Sequence, residues 1–254
     1  MKPWQKEEYR AMLYTLIQAF PHWDKLNGKE LFISGASGMI GSTLIDALML
    51  RNESLPHSER ICVYGTSRNM EAARQRFSRW WGTEEFHFFP HDITQPLEGF
   101  ERTPELLIHA ASTTHPAQYV KEPINTILAN ILGTKNMLDI AARTSGARFL
   151  LLSSVEIYGE NRGDVEYFDE NYCGYLDCNT LRAGYPEAKR ISESMCQAYI
   201  KEKGVDAVIL RLPRCYGPTM KMDDTKALSQ FIKKGLAEED IMLKSEGNQF
   251  YITP

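Results

Sequence analysis

Short apolar runs alternate along the chain with stretches in which apolar residues recur every three or four positions. The runs are typical of buried β-strands and the periodic stretches of amphipathic helices. Strands are predicted at residues 31–34, 61–66, 85–89, 106–109, 149–153 and 207–210. Helices are predicted between most of them, at residues 42–50, 70–80, 124–144 and 188–203. This alternation predicts an α/β fold built on a doubly wound parallel sheet, with ligands at the carboxyl ends of the strands.

Another amphipathic helix is predicted before the first strand, within an N-terminal extension at residues 1–28. Its apolar positions, all at helical spacing, are Tyr9, Met12, Leu13, Leu16, Ile17 and Phe20. We expect this helix to pack against the following domain, and a role in oligomerisation is the alternative. Arg74, Arg76 and Arg79 cluster on the predicted helix 70–80 and indicate a solvated face.

The first strand leads directly into a glycine-rich turn and a helix. Residues 31–41 read LFISGASGMIG, with Gly35, Gly38 and Gly41 three residues apart. Glycines let the backbone turn tightly and approach a ligand, and the helix N-terminus supplies unpaired N–H groups with a partial positive charge. The combination predicts a seat for a dinucleotide pyrophosphate, with a purely structural turn as the alternative.

Tyr185 and Lys189 are four residues apart, so on a helix they share a face. A nearby ammonium favours the phenolate, and we therefore expect Lys189 to lower the pKa of Tyr185, which makes this tyrosine a candidate general acid and base. Ser154 follows a predicted strand and can bind a substrate oxygen. Glu156 lies on the same side of an extended segment. The alternatives are a cap or turn for Ser153 and Ser154 and an exposed loop acid for Glu156.

Six ordered segments resemble the extended short-chain dehydrogenase/reductases, in the group of nucleotide-sugar epimerases, dehydratases and decarboxylases. The resemblance is carried by residues 35–41 (GASGMIG), 91–93 (HDI), 109–112 (HAAS), 130–134 (NILGT), Ser154 with Tyr185 and Lys189, and 210–218 (LRLPRCYGP). It implies a Rossmann-type domain at residues 29–212, with an active-site loop at 160–182. It also implies a partial substrate-binding region at 213–254, since similar proteins continue further and this region is expected to be truncated.

The resemblance also implies roles for individual residues. Catalytic roles fall on Ser154, Tyr185 and Lys189, with Glu156 beside them. The expected cofactor contacts are Gly35, Ser37, Gly38, Met39, Ile40, Gly41, Ser67, Arg68, Asp92, Ile93, Ala110, Ala111, Ser112, Asn130, Ser153, Tyr185, Lys189 and Pro213. The expected substrate contacts are Thr113, Arg182 and Arg214. Relatives commonly form homodimers through four helices, which here would be those predicted at 124–144 and 188–203.

The second strand leaves the choice between NAD and NADP open. An acidic residue usually ends this strand in NAD-binding sites and holds the ribose hydroxyls. Here the strand ends with Ser67 and is followed by Arg68, which can bind a 2′-phosphate. The resemblance favours NAD, whereas these two residues permit NADP.

Composition and charge restrict the partners and the compartment. The 254 residues carry a net charge of −4 and no basic stripe, so we expect no nucleic acid partner. No apolar run is long enough to cross a membrane. The cysteine count is five, which is odd, and the cysteines lack metal-ligand spacing; this predicts no metal site and a reduced cytoplasmic location.

The expected reaction starts with hydride transfer from a sugar carbon as Tyr185 removes the proton of the 4-hydroxyl. Val155 stands where dehydratases of this group place an acid, which weakens a dehydratase assignment. Residues 181–199 resemble UDP-glucuronate decarboxylases, although Arg214 stands where relatives commonly have asparagine. We therefore expect a nucleotide-sugar decarboxylase or epimerase that acts through a 4-keto intermediate. An NADPH-dependent carbonyl reductase and a non-catalytic dinucleotide sensor or inactive fragment are the alternatives.

Overall fold

A computed structural model describes residues 3–112, 121–220 and 224–242. Its centre is a parallel sheet of six strands in the order β3-β2-β1-β4-β5-β6. The strands are β1 (Glu30–Ser34), β2 (Cys62–Ser67), β3 (Phe86–Pro90), β4 (Leu106–His109), β5 (Arg148–Ser154) and β6 (Asp206–Leu212). This order confirms the doubly wound sheet predicted from the alternation of patterns.

Helices of eight or more residues flank the sheet, together with one shorter helix after β2. They are α1 (Glu7–Ala19), α2 (Met39–Asn52), α3 (Met70–Arg76), α4 (Pro123–Arg143), α5 (Gly184–Lys203) and α6 (Ala227–Leu236). No helix in the described ranges is long and apolar enough to cross a bilayer.

The strand order reverses between β1 and β4, which opens a crevice at their carboxyl ends. Ser34 at the end of β1 is in register with Thr66 on one side and with His109 on the other. The chain leaves β1 toward α2 and β2, whereas β4 leads to the opposite half of the sheet. Such a reversal point is where open α/β sheets bind their ligands.

Alternate residues of each strand supply two separate hydrophobic layers. On one face of the sheet Leu31 and Ile33 pack with Ile45 of α2, and on the other Phe32 packs with residues that include Phe149 of β5. These side chains are all fully buried. Burial on both faces explains why the strands read as continuous apolar runs rather than as alternating ones.

The helix predicted at 188–203 begins earlier, at Gly184, and two further helix boundaries differ from the predicted ones for local physical reasons. The helix expected at 42–50 begins at Met39, since Gly38 in extended conformation caps it. The helix expected at 70–80 ends at Arg76, because Phe77 leaves the helical region and turns follow it. Phe77 and Trp80 are nevertheless buried, which explains why their spacing resembled a longer amphipathic helix.

The N-terminal helix packs against the sheet domain through a buried carboxylate. Tyr9 of α1 donates a hydrogen bond of 2.6 Å to Asp46 of α2, which also accepts from Arg76 at 2.5 Å and from Trp80 at 2.8 Å. Asp46 is only 1% exposed. The prediction that Arg76 lies on a solvated helix face is therefore wrong. Arg79 lies over the rings of Trp4 and Trp80. Leu16 and Phe20, expected on the apolar face, are about half exposed.

Candidate active site

The glycine-rich turn lies where β1, β4 and α2 meet. Gly35 has a positive φ of 69°, and a Cβ on it would lie 2.6 Å from the backbone of Ala110 and Ala111. A Cβ on Gly41 would lie 2.5 Å from the Gly35 carbonyl. Larger residues would force the turn away from β4, so these two glycines are required for the local geometry.

A cavity of about 360 Å³ opens in front of this turn, at the carboxyl ends of the strands. It collects predicted site residues from positions far apart in the chain. The predicted residues that line it are Gly35, Gly38, Met39, Ile40, Gly41, Ala110, Ser112, Ser153, Ser154, Glu156, Arg182, Tyr185, Lys189, Pro213 and Arg214. All four residues predicted as catalytic are among them.

Other predicted cofactor residues do not line this cavity, and two of them are held in the scaffold. Ile93 is buried in the core, and its carbonyl accepts from Asn136 at 2.8 Å. Asn130 is fully buried; its side chain accepts from Ser112 at 3.0 Å and donates to the Thr126 carbonyl at 2.8 Å. Asn130 thus fixes the position of a cavity residue.

The remaining predicted cofactor residues that do not line the cavity lie beside it. Ser37 and Ser67 are joined by their hydroxyls, and Arg68 is exposed at the end of β2. Asp92 accepts from the backbone and hydroxyl of Thr94, and Ala111 is half-buried after β4. Thr113, expected to contact substrate, falls outside the described residues.

Tyr185 enters the cavity from the first turn of α5 and is 6% exposed. Burial raises its pKa to about 12, with hydrogen bonding to Ser154 and Ser112 opposing this effect and the charge of Glu156 adding to it. The phenol is therefore in its neutral, proton-donating form in the structure. The expected net lowering of this pKa is wrong for this arrangement, because burial dominates.

Lys189 is 2% exposed and directs its ammonium at the backbone. Its Nζ donates a hydrogen bond of 2.7 Å to the carbonyl of Leu152 on β5 and lies 5.9 Å from the centre of the Tyr185 ring. Burial lowers its pKa to about 8, while the negative charge of Glu193 opposes this shift. A lysine with a pKa this close to neutrality can change its charge during a reaction cycle.

Ser154 caps a short helix and also lines the cavity. Its hydroxyl accepts from the backbone N–H of Glu156 at 3.2 Å and caps a short 3-10 helix at Val155–Tyr158. The same hydroxyl lies close enough to Tyr185 to affect the pKa of the phenol. Glu156 faces the cavity rather than open solvent, and one of its oxygens lies 3.6 Å from the guanidinium of Arg182.

An ion pair behind the cavity was not predicted from the sequence. Glu193, one turn after Lys189, accepts from Ser153 at 2.5 Å and from Arg211 of β6 at 2.9 Å. Arg211 also donates to the carbonyl of Glu170 in the loop. The four-residue spacing between Lys189 and Glu193 could have indicated that the two residues are neighbours on the helix. The pairing of Glu193 with Arg211 on β6 could not be predicted from the sequence.

The predicted active-site loop at 160–182 is fastened at its base. Gly174 donates a backbone hydrogen bond of 2.9 Å to the Tyr158 carbonyl, and Glu160 forms an antiparallel bridge with Tyr175. Arg190 of α5 donates to the carbonyls of Ile157 and Gly174, both at 2.7 Å. The helix that carries Tyr185 and Lys189 therefore also holds the loop.

The part of the cavity wall that is formed by residues after β6 was predicted only in part from the sequence. Lys226 and Ser229, at and after the start of α6, line it together with Met220. Thr219 donates a hydrogen bond of 3.0 Å to the carbonyl of Met39, the first residue of α2. The segment after β6 therefore contacts the start of α2, directly after the glycine-rich turn. No sequence pattern predicts this contact.

The described residues fit a dinucleotide cofactor. Tight glycine contacts leave backbone rather than side chains facing the cavity at the start of α2, which suits a pyrophosphate. Tyr185 and Lys189 line the same cavity as the glycine-rich turn.

Comparison with known proteins agrees with this geometry. The model of the NAD dependent epimerase/dehydratase family matches residues 31–251, and the chain belongs to this family. The match includes the glycine-rich turn, the three residues Ser154, Tyr185 and Lys189, and the segment that follows β6.

Curated relatives include several UDP-glucuronic acid decarboxylases. UDP-glucuronic acid decarboxylase 1 of Xenopus tropicalis is 35% identical over 247 residues, which cover 96% of this chain and 55% of that protein. UDP-glucuronic acid decarboxylase 3 of Arabidopsis thaliana is 32% identical over 220 residues, which cover 87% and 60%. The chain thus spans little more than half the length of these relatives.

Solved structures share the fold. UDP-glucuronic acid 4-epimerase from Bacillus cereus, in complex with UDP-glucuronic acid and NAD, has a TM-score of 0.69 and 23% identity, covering 87% of this chain and 69% of that one. UDP-N-acetylglucosamine 4-epimerase from Methanobrevibacter ruminantium has a TM-score of 0.71 and 20% identity, covering 89% and 69%.

Proposed function

We propose that this protein is an NAD(P)-dependent nucleotide-sugar enzyme that acts through a 4-keto-sugar intermediate, as a UDP-glucuronate decarboxylase or epimerase. The observation that carries the proposal is the meeting of Ser154, Tyr185 and Lys189 with the glycine-rich turn in one cavity. The family match and the names of the curated relatives support the choice of substrate.

In this proposal Tyr185 acts as a phenolate: it first loses its own proton to solvent and then takes the proton of the sugar 4-hydroxyl. The cofactor, when bound, supplies the acceptor for the hydride from the same carbon. Ser154 donates a hydrogen bond to the developing carbonyl oxygen, which orients the sugar and helps to hold the shared proton. Lys189 keeps positive charge near the phenol, and this charge is needed because burial alone raises the Tyr185 pKa to about 12.

The charges that line the cavity favour an acidic sugar. Arg182, Arg214 and Lys226 contribute positive charge at the side facing the expected substrate, against the carboxylate of Glu156. We propose that Arg182 and Arg214 contact the substrate and that Glu156 acts in the step after oxidation. A 4-keto group beside a carboxylate-bearing carbon makes loss of carbon dioxide chemically accessible, which supports decarboxylation over simple epimerisation.

The experiment is to incubate the purified protein with UDP-glucuronate and either NAD or NADP and to identify the nucleotide sugar by mass spectrometry. A product lighter by carbon dioxide supports the decarboxylase, and an isomer of unchanged mass supports the epimerase. UDP-glucose, dTDP-glucose and GDP-mannose serve as controls for the sugar and the base. Unchanged substrate in the presence of bound cofactor would contradict the proposal.

We further propose that residues 213–254 belong to the substrate-binding region and that two copies associate through α4 and α5 in the cytoplasm. Exposed apolar side chains on these helices support the dimer: Ile124 is 70% exposed on α4, and Ile191 is 46% exposed on α5. All cysteines are free thiols in the structure, which supports a reducing compartment. Light scattering of the purified protein tests the association.

A further inference from the structure

The carboxyl end of β2 presents hydroxyls and a cation beside the glycine-rich turn. The side-chain oxygens of Ser37, in the turn, and of Ser67, the last residue of β2, lie 2.7 Å apart. Arg68 follows immediately and is exposed. The hydrogen bond between the two serines ties the turn to the strand end, so the two hydroxyls share one corner of the cofactor site and Arg68 is the next residue along the chain.

Carboxylates near this corner are already engaged. Asp92, after β3, accepts from the N–H of Thr94 at 3.0 Å and from its hydroxyl at 2.9 Å. These bonds hold the pKa of Asp92 below its usual value, and the charge of Arg68 contributes to the same effect. Glu71 accepts from Gln75 on the outer side of α3.

Arg68 remains available to a ligand. Across the described ranges its guanidinium has no carboxylate within ion-pairing distance, although it acts on Asp92 through space. A guanidinium on the residue that follows two paired hydroxyls is suited to a phosphate dianion, because each group can donate hydrogen bonds to phosphate oxygens. The same corner lacks the strand-end carboxylate that would accept hydrogen bonds from two free ribose hydroxyls.

We propose that Ser37, Ser67 and Arg68 form a subsite for the 2′-phosphate of an adenine dinucleotide, so that this chain prefers NADP(H) to NAD(H). The inference rests on the proposed function in one respect, namely that the cavity holds a dinucleotide. It departs from the family description, which specifies NAD.

Binding measurements by isothermal titration calorimetry test this assignment without any turnover. The titrants are NADPH, NADH, and the fragments 2′,5′-ADP and 5′-AMP. We expect NADPH and 2′,5′-ADP to bind at least about tenfold more tightly than NADH and 5′-AMP, the difference that one charge-assisted hydrogen bond supplies.

Substitutions locate the effect. Arg68→Ala should weaken NADPH by about tenfold or more and NADH by less than about twofold. Ser67→Asp should reverse the preference, since it places a carboxylate where ribose hydroxyls would donate. Arg74→Ala is the matched control: this arginine is also exposed nearby, but its guanidinium lies 5.2 Å from the ring centre of Trp81, and its loss should leave both affinities unchanged.

The outcomes separate this inference from the proposed function. Tight NADH with weak NADPH, or equal losses for both in Arg68→Ala, would overturn the phosphate subsite and leave the nucleotide-sugar proposal standing. Failure of the wild-type protein to bind either dinucleotide would overturn both. Preference for NADPH that depends on Arg68 supports the subsite whether or not a sugar is turned over.

Discussion

Ser153 donates a hydrogen bond of 2.5 Å to Glu193, which joins the strand that carries Ser154 to the helix that carries Tyr185 and Lys189. The carboxylate also pairs with Arg211 and lies one helical turn from the buried Lys189. Its negative charge favours the protonated form of that lysine. We therefore expect Glu193 to act as a positioning residue, since its charge favours protonated Lys189 although Glu193 is not among the residues that line the cavity.

Glu193→Gln should move the alkaline limb of the pH–rate profile to lower pH. The substitution keeps a hydrogen-bond acceptor for Ser153 but removes the charge that opposes burial of Lys189, so the pKa of Lys189 should fall below its present value of about 8. The measurement is kcat as a function of pH. Glu187→Gln is the control on the same helix, because Glu187 pairs only loosely with Arg190 at 3.6 Å. An alkaline limb that stays in place would show that Glu193 has a purely structural role.

Tyr185→Phe should abolish most turnover and leave cofactor binding intact. The phenol is the group placed to exchange a proton with substrate, and loss of a general acid or base costs about 10²–10⁴ in rate. The measurements are kcat and the cofactor affinity from calorimetry. Tyr199→Phe is the matched control on α5, where Tyr199 donates to Asp139 away from the cavity. A variant with nearly normal kcat would remove Tyr185 from the mechanism.

Tyr9→Phe should lower the free energy of unfolding by about 1–2 kcal/mol, because it leaves the buried Asp46 with one donor fewer. Tyr14→Phe on the same helix should have little effect, since Tyr14 is 51% exposed. Urea denaturation of the two variants gives the comparison. Equal stabilities would mean that α1 contributes little through this contact and that the Asp46 cluster is sustained by Arg76 and Trp80 alone.

His109 should make the folded protein sensitive to acid. Complete burial, with the charge of Lys189 in addition, lowers its pKa from 6.5 to about 3. Between these values the unfolded chain takes up a proton that the folded chain refuses, so the stability associated with this residue is fully present above pH 6.5 and is lost as the pH falls toward 3. The slope for one such group is at most about 1.4 kcal/mol per pH unit.

Comparison with His109→Gln isolates that contribution from the carboxylates that titrate over the same range. The free energy of unfolding of the wild-type protein should fall more steeply than that of the variant between about pH 6.5 and 3. The slopes are compared rather than the absolute stabilities, because the variant also disturbs the contact with Ser34. Parallel slopes would contradict a neutral buried histidine.

Sequence patterns were sufficient for the parts of the site that depend on local geometry. The glycine spacing placed the turn between β1 and α2, and the four-residue spacing of Tyr185 and Lys189 placed both on one side of α5. Because the strands are buried on both faces, they could be recognised in the sequence as apolar runs. Each of these inferences depends on residues that are close in sequence.

Contacts between distant residues were outside the reach of the same reasoning. The partner of Lys189 is a backbone carbonyl on β5, which no side-chain pattern reveals. The pKa of Tyr185 depends on how deeply α5 packs, and burial reversed the expected shift. Thr219 and the Met39 carbonyl are joined by a hydrogen bond although they are 180 positions apart in the sequence, so no local pattern predicts this contact.

We propose above all that a sugar hydroxyl is oxidised in this cavity, with Tyr185 as the proton acceptor. The most direct test is the near-ultraviolet absorbance of reduced nicotinamide after rapid mixing of the protein and oxidised cofactor with UDP-glucuronate, compared between the wild-type protein and Tyr185→Phe. The absorbance should rise, transiently or lastingly, in the wild-type protein and should not rise in the variant. No rise in the wild-type protein, with both ligands shown by calorimetry to be bound, would contradict this proposal.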